Sequence, residues 1–153
     1  MKVNQIMTTE PRTCSRGTTL ATAASLMWDG DCGILPVVEE GKLVGIVTDR
    51  DMFIALATRN KLASQITVGE VARETVATCE PEDDVHAVLA TMRNHRVRRL
   101  PVVGFGGTVL GVISMNDILL AVGPNEAVHD EEVVETLQAI CARNRPVPRI
   151  VAA

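Results

Sequence analysis

The segment Leu35-Pro36-Val37-Val38 recurs as Leu100-Pro101-Val102-Val103, at an offset of 65 positions. The same register pairs residues well outside these segments, for example Cys14 with Cys79. A chance match of four residues would lose such agreement within a few positions. The chain from residue 1 to about residue 120 is therefore two copies of one structural unit.

Length and composition limit what this repeat can build. The chain has 153 residues, 46% of them hydrophobic, which is enough for one core shared by two half-size units. A net charge of −4 provides no basic field, so we expect no binding to nucleic acid or to a membrane surface. The N-terminus lacks the basic and apolar segments of a secretory signal, so we predict a cytoplasmic protein.

The four cysteines lie far apart in the sequence, at Cys14, Cys32, Cys79 and Cys141. Because cytoplasmic proteins seldom keep disulfides, we expect buried thiols and no disulfide framework. No Cys-x-x-Cys or His-x-x-x-His spacing indicates a metal site. We therefore predict neither a metal nor a cofactor.

Hydrophobic periodicity predicts the same series of elements in both copies. Apolar residues at helical spacing predict a helix over residues 18–29 and a matching helix that starts near residue 85. Nearly continuous Val-, Ile- and Leu-rich runs predict two hairpins, at 34–38 with 43–47 and at 100–103 with 109–113. Short strands are expected at 12–14 and 77–79, second helices at 50–58 and 116–121, and a helical turn before each copy.

The predicted fold class is α/β (α+β), with two β-α-β-β-α repeats packed with pseudo-twofold symmetry. We place the first repeat at residues 1–62, the second at 63–123, and a C-terminal helix and tail at 124–153. Val133, Leu137 and Ile140 mark one apolar face, which predicts a helix over 126–143. An irregular tail is expected at 146–148.

Each repeat carries a hydroxyl residue followed three positions later by an aspartate. These residues are Thr48 and Asp51 in the first repeat, and Ser114 and Asp117 in the second. Such a pair can cap a helix, because both side chains accept hydrogen bonds from unpaired amides of the first turn. Alternatively, the carboxylate accepts hydrogen bonds from a ribose diol while the hydroxyl contacts sugar or phosphate. The sequence leaves both roles open.

A cationic cluster at residues 95–99 stands immediately before the second Leu-Pro segment. In the first copy, Gly33 and Ile34 take the places of Arg98 and Arg99. Guanidinium groups bind phosphate through planar, paired hydrogen bonds, so an anionic ligand is one explanation of the cluster. A solvated loop, or salt bridges to acidic side chains of a dimer, is the other.

The three histidines, His86, His95 and His129, form no recognisable catalytic group with serine, cysteine or aspartate. The sequence also contains neither a P-loop nor an intact GxGxxG dinucleotide turn. We therefore predict that the protein is not an enzyme and has no catalytic residues.

Residues 1 to about 120 resemble a tandem pair of CBS domains, known as a Bateman module. The resemblance rests on the doubled motif of glycine, apolar residues and hydroxyl-x-x-aspartate at 45–51 and 111–117. It implies a stand-alone module that binds adenosine-containing ligands, such as AMP, ADP, ATP, NAD or S-adenosylmethionine, in two clefts between the repeats. It also implies a disk-like homodimer with the helices at 50–58 and 116–121 at its interface.

Carried over to this sequence, the resemblance implies two unequal sites in which the aspartates hold ribose. The stronger site, with a basic pair for phosphate, is expected to use Val76, Ala77, Arg98, Arg99, Pro101, Ser114, Asn116 and Asp117. The weaker site, without that pair, is expected to use Arg12, Ile34, Pro36, Thr48, Arg50 and Asp51. Adenine would lie against the strand-edge members of each set.

The function implied by the resemblance is regulatory, and AMP is the ligand expected first. The ligand would act as a signal, passed through the dimer or the C-terminal helix to an unidentified regulated protein. The alternative is a non-catalytic interaction module that dimerises without a ligand.

Overall fold

Helices and strands follow one another in the order that the repeat predicts. The computed structural model describes residues 1–121 and 130–142. After the two-residue strand β1 (Thr8–Thr9), the first repeat forms α1 (Leu20–Asp29), β2 (Ile34–Glu39), β3 (Lys42–Thr48) and α2 (Asp49–Arg59). The second forms α3 (Val85–His95), β4 (Arg99–Val103), β5 (Val109–Ser114) and α4 (Met115–Ala121). The predicted α+β class with two like repeats is confirmed.

The first helix of each repeat begins at a capping side chain and buries one apolar face. The hydroxyl of Thr19 accepts the backbone N–H of Thr22 at 3.2 Å, and the carboxylate of Asp84 accepts that of His86 at 3.0 Å. These bonds satisfy amides that the first turn leaves unpaired. The predicted apolar face is buried at Val85, Val88, Leu89 and Met92 in α3 and at Leu20, Ala23 and Met27 in α1. Ala24, predicted on the same face of α1, is exposed.

The two hairpins are antiparallel and irregular at equivalent places. β2 pairs with β3 and β4 with β5, and the register shifts after Val37 in one hairpin and after Val102 in the other. An antiparallel bridge between Lys42 and Thr108 brings the two hairpins together. The predicted hairpins are thus confirmed, with nearly the predicted bounds.

The short strands predicted at 12–14 and 77–79 are each reduced to one parallel bridge. The backbone N–H of Cys14 donates to the carbonyl of Pro36, and the N–H of Val38 donates to the carbonyl of Cys14. A longer ladder would next require an N–H from Pro36, which a proline lacks. Cys79 and Pro101 form the same arrangement, so the repeated proline stops the pairing in both copies.

The segment that precedes the first helix of each repeat, called its entry segment (residues 3–9 and 68–74), packs on the other repeat. The 3₁₀ turn Val3–Gln5 inserts Val3 into the core of the second repeat, and the turn Val68–Glu70 inserts Val68 into the core of the first. β1 pairs with β5, while Arg73 forms an antiparallel bridge with Ile46. Both predicted helical turns are present, but each completes the opposite repeat. The division at residues 62 and 63 stays a prediction about sequence units.

Glycine in each hairpin permits this exchange of segments. A Cβ atom added to Gly111 would lie 2.7 Å from the carbonyl oxygen of Thr8, and one added to Gly45 would lie 2.8 Å from that of Arg73. Real side chains do not approach a backbone carbonyl so closely, so only glycine fits under the crossing segment. The two glycines of the repeated motif therefore have an equivalent structural role.

The C-terminal helix, α5 (Asp130–Cys141), packs against α3 of the second repeat. Val133 is buried, and Leu137 and Ile140 are partly buried against the second core, as the apolar face predicts. The remaining predicted helix and the predicted tail lie outside the described residues. None of the helices within 1–121 and 130–142 is long and apolar enough to cross a membrane.

The cysteines differ in burial. Cys14 and Cys79 are buried, and burial raises the pKa of Cys14 to about 11 and that of Cys79 to about 12. Cys32 is half-buried, but Cys141 is exposed near the end of α5. The expectation of a buried thiol is therefore wrong for Cys141, which is the last residue of α5 and is exposed there.

Candidate functional site

Two clefts lie where the repeats meet, and the first is called the Asp117 cleft. Its volume is about 350 Å³. The N-terminal segment and the α1–β2 loop line one side, and the junction of β5 with α4 lines the other. The lining includes Thr8, Glu10, Pro11, Arg12, Asp31, Cys32, Ile34, Arg99, Val112, Ser114, Asn116 and Asp117.

Asp117 uses one of its two carboxylate oxygens to cap α4. The Oδ2 atom accepts the backbone N–H of Ser114 at 2.7 Å and its hydroxyl at 2.6 Å, and Ser114 Oγ accepts the N–H of Asp117 at 3.3 Å. The Oδ1 atom has no hydrogen-bond partner in the part of the chain that the structure describes. Capping and ligand binding are therefore compatible at this residue, because they can use different oxygens.

The second cleft, called the Thr48 cleft, is the pseudo-symmetric counterpart of the first. Its volume is about 370 Å³. The β3–α2 junction takes the place of the β5–α4 junction, and the loop between α3 and β4 takes that of the α1–β2 loop. The lining is formed by Gly33, Ile34, Ile46, Thr48, Asp49, Arg50, Arg73, Arg96, Val97, Arg98, Arg99 and Ile140.

The aspartate of the first repeat, Asp51, has both carboxylate oxygens occupied. Its Oδ1 accepts Arg73 through one terminal nitrogen at 2.6 Å and through Nε at 3.2 Å, while Oδ2 accepts the Thr48 hydroxyl at 2.7 Å. Burial acts to raise the pKa of Asp51, but the bonds and charge of Arg73 and the bonds of Thr48 together hold it below its ordinary value. Asp51 is thus engaged by protein groups, unlike Asp117.

The charges of the two clefts differ in balance. In the Asp117 cleft, two arginines face three carboxylates, namely Glu10, Asp31 and Asp117. The Thr48 cleft gathers five arginines around the single lining carboxylate of Asp49. Arg99 and Ile34, which are equivalent by the repeat, line both clefts. Burial and the neighbouring charge of Arg98 lower the pKa of Arg99, while Asp49, Cys32 and Asp117 raise it.

The structure groups the predicted site residues across the repeats. Arg12 and Ile34, predicted with Asp51, line the cleft of Asp117 together with Arg99, Ser114 and Asn116. Arg98, predicted with Asp117, lines the other cleft beside Thr48 and Arg50. The cause is that each cleft joins the strand end of one repeat to the loop between the first helix and the first hairpin strand of the other.

Five predicted residues do not line either cleft among the described residues, namely Asp51, Pro36, Pro101, Val76 and Ala77. Pro36 and Pro101 are buried within strands, where their carbonyls accept Cys14 and Cys79. Val76 and Ala77 are partly buried, and Ala77 packs against the second core. Their predicted contacts with a ligand stay predictions.

Arg73 is the most informative residue that the sequence reasoning missed. It donates two hydrogen bonds to Oδ1 of Asp51 and lines the Thr48 cleft. The offset of 65 pairs it with Thr8, a neutral residue that lines the Asp117 cleft. A comparison of the two entry segments would therefore have shown the difference. Glu10 and Asp31 were missed because single acidic residues in loops carry no pattern, and Asp49, the first residue of α2, was missed because its place in the repeated motif is not acidic in the second copy.

Family comparison accounts for both copies of the repeat. A model of the CBS domain family matches residues 3–58 and again residues 68–123. The CBS domain-containing protein YhcV of Bacillus subtilis (strain 168) is 33% identical over 125 residues, which cover 82% of this chain and 88% of YhcV.

Solved structures agree with the family match. The CBS domain pair of protein MJ0100, solved in complex with 5′-methylthioadenosine and S-adenosyl-L-methionine, has a TM-score of 0.72 at 30% identity and covers 79% of this chain and 94% of its own. Hypoxic Response Protein I, solved with two coordinated zinc ions, has a TM-score of 0.72 at 27% identity and covers 80% and 100%. Among the described residues of this chain, no group of three or more His, Cys, Asp or Glu could hold a metal ion. With two matched segments and these relatives, the chain belongs to the CBS domain family and carries two CBS domains in tandem.

Proposed function

We propose that this protein is a regulatory module that binds an adenosine-containing ligand in the Asp117 cleft. The observation that carries the proposal is the Oδ1 atom of Asp117, which has no partner among the described residues while Oδ2 holds Ser114. A carboxylate oxygen in this position can accept hydrogen bonds from a ribose diol. The complex of the MJ0100 domain pair with two adenosine compounds supports this ligand class.

The remaining lining of the Asp117 cleft suits a nucleoside with little negative charge. Pro11, Ile34 and Val112 offer apolar surface for adenine. Arg12 and Arg99 can bind one phosphate, but Glu10 and Asp31 oppose a longer phosphate chain. AMP therefore stays the first expected ligand, ahead of ATP, and a cationic compound such as S-adenosylmethionine is compatible with the same charges.

The signal would reach a partner through a dimer and through the C-terminal helix. Phe53 on α2 and Leu120 on α4 are 71% and 88% exposed, which leaves apolar surface on the helices expected at a homodimer interface. Ile140 of α5 lines the Thr48 cleft, and Arg99 lines both clefts. A ligand that moves Arg99 would therefore change the surroundings of α5. In this role the ligand is a signal and not a substrate, and the module acts in the cytoplasm.

A second candidate function is a ligand-free interaction module. The full capping of α4 by Ser114 and Asp117 favours it, because capping alone gives these residues a structural use. The exposed apolar helices would then recruit a second copy or another protein. The two candidates differ in whether Asp117 serves a ligand in addition to the helix.

Thermal unfolding and calorimetry with a ligand panel separate the two candidates. AMP, ADP, ATP, NAD and S-adenosylmethionine are added in turn to the full chain. A specific ligand raises the unfolding midpoint as its concentration exceeds its dissociation constant. We expect AMP or S-adenosylmethionine to bind and Asp117→Asn to weaken that binding. If no member of the panel shifts the midpoint or gives heat, the interaction module replaces the sensor.

A further inference from the structure

We infer that the Thr48 cleft is a separate binding site for a phosphate-chain anion that does not require a ribose. The inference stands apart from the proposed adenosine site, because Arg99 is the one arginine that it shares with that site and its probe contains no nucleoside. Its basis is the contrast between equivalent positions of the two repeats.

Each arginine of the Thr48 cleft has an uncharged or acidic residue at the equivalent position of the other repeat. Those equivalent residues lie in the Asp117 cleft or in the α1–β2 loop beside it. The repeat register places Arg73 opposite Thr8, Arg98 opposite Gly33, and Arg50 opposite Asn116. Arg96 stands opposite Asp31, so the charge at this position is reversed. Both of these residues have left-handed backbone, with φ of 53° and 44°. The two loops thus share a conformation and differ in the charge that they present.

Three of the five arginines of the Thr48 cleft are not neutralised by the described part of the chain. The side chains of Arg50, Arg98 and Arg99 form no hydrogen bond or salt bridge within residues 1–121 and 130–142. Asp49 is the sole lining carboxylate, and its Oδ1 already accepts the backbone N–H of Arg50 at 2.7 Å. Like charges held together in a partly buried cleft favour binding of an anion. The lowered pKa of Arg99 agrees with this crowding.

The same cleft does not offer the aspartate of its repeat to a ribose, because Asp51 is absent from the lining. Arg73 and Thr48 occupy the oxygens of Asp51, at 2.6 Å and 2.7 Å. A sugar at this carboxylate would have to displace a guanidinium that donates from both Nε and a terminal nitrogen to Oδ1, and such hydrogen bonds between charged groups are stronger than neutral ones. A linear phosphate chain needs no such displacement, because it can pair with Arg50, Arg98 and Arg99 directly.

The arrangement favours several phosphates over one. Guanidinium groups bind phosphate oxygens in pairs, and a single phosphate would leave part of the cluster without a partner. The cleft volume of about 370 Å³ accommodates a short chain. The anion is either an inorganic polyphosphate or the phosphate tail of a nucleotide whose sugar lies outside the cleft.

Calorimetric titration with inorganic tripolyphosphate tests the inference. We expect one binding event per chain, which weakens as salt is added. Arg98→Gln and Arg50→Gln should each reduce the affinity by about tenfold or more, as for loss of a charge-assisted bond. The matched control is Arg16→Gln, which removes the same charge outside both clefts, where Arg16 pairs with exposed Glu74 at 2.8 Å. Circular dichroism spectra check that each variant is folded.

Further titrations identify the source of the anion and separate this inference from the proposed function. Asp117→Asn should weaken AMP binding and leave tripolyphosphate binding unchanged. If ATP competes with tripolyphosphate in that variant, the natural anion can be a nucleotide tail; if ATP does not compete, it is an inorganic chain. Absence of tripolyphosphate binding, or an equal loss in Arg98→Gln and Arg16→Gln, overturns the inference, whatever AMP does.

Discussion

In the Asp117 cleft, the aspartate at the start of α4 keeps one oxygen without a partner in the described chain, whereas the equivalent aspartate of α2 is bound by Arg73. The backbone around the two residues is alike, since each follows a capping hydroxyl at the end of a strand. The difference arises from the entry segment, which carries Thr8 in one cleft and Arg73 in the other. Repeats of this kind can therefore diverge in binding through residues that the opposite copy contributes.

The largest expected difference in ligand affinity is between substitutions of the two aspartates. Asp117→Ala should weaken adenosine-ligand binding by about 2 kcal/mol, or roughly thirtyfold, because it removes a charged acceptor. Asp51→Ala should change that affinity little, since its carboxylate already holds Arg73. Calorimetry with AMP or S-adenosylmethionine measures both. Equal losses in the two variants would contradict the difference between the clefts, and a lower unfolding midpoint with full binding after Asp117→Ala would leave only the capping role.

A smaller change in adenosine-ligand affinity is expected when the equivalent residues Thr8 and Arg73 are each replaced by the other residue type. Thr8→Arg should place a guanidinium beside Asp117 and reduce adenosine-ligand affinity by about tenfold, by analogy with the Arg73–Asp51 pair. The reciprocal change, Arg73→Thr, should release Asp51 and raise the number of adenosine ligands bound per chain. Titration of both variants measures affinity and stoichiometry. Unchanged stoichiometry in Arg73→Thr would show that the other arginines exclude the nucleoside by themselves.

The smallest effect concerns acid stability. The folded-state pKa of Asp51 lies below its unfolded value, which is about 3.9 for an ordinary aspartate. Its pairing therefore stabilises the protein above that pH, and the contribution is lost as the pH falls through the folded pKa. Unfolding midpoints should fall less steeply for Asp51→Asn than for the unchanged protein as the pH is lowered from about 5 to about 2. Parallel curves would mean that the exposed guanidinium of Arg73 contributes no net stability.

The local sequence pattern predicted the helices and strands well, but it did not predict which repeat each segment packs against. The apolar stripe at Leu20, Ala23 and Met27 determines a helix and its buried face, because helical spacing is a local property. Val3 and Val68 are the same residue type at equivalent positions, so the neighbouring sequence does not indicate which core each enters. The site depends on that choice, so Arg98 was grouped with Asp117 by sequence while it lies in the Thr48 cleft. The proline that ends each parallel bridge stands in the repeated segment, so the shortness of the pairing at Cys14 and Cys79 is predictable from the sequence.

The exchange of entry segments also has a consequence for the order in which the chain can fold during synthesis. The core of the first repeat is complete only when Ile66 and Val68 have been made, after α2. Val3, made first, finds its place only when α3 and the second hairpin exist. The N-terminal segment therefore cannot pack in its native place until most of the chain has been synthesised. Such contacts between distant residues favour slow folding of both repeats together.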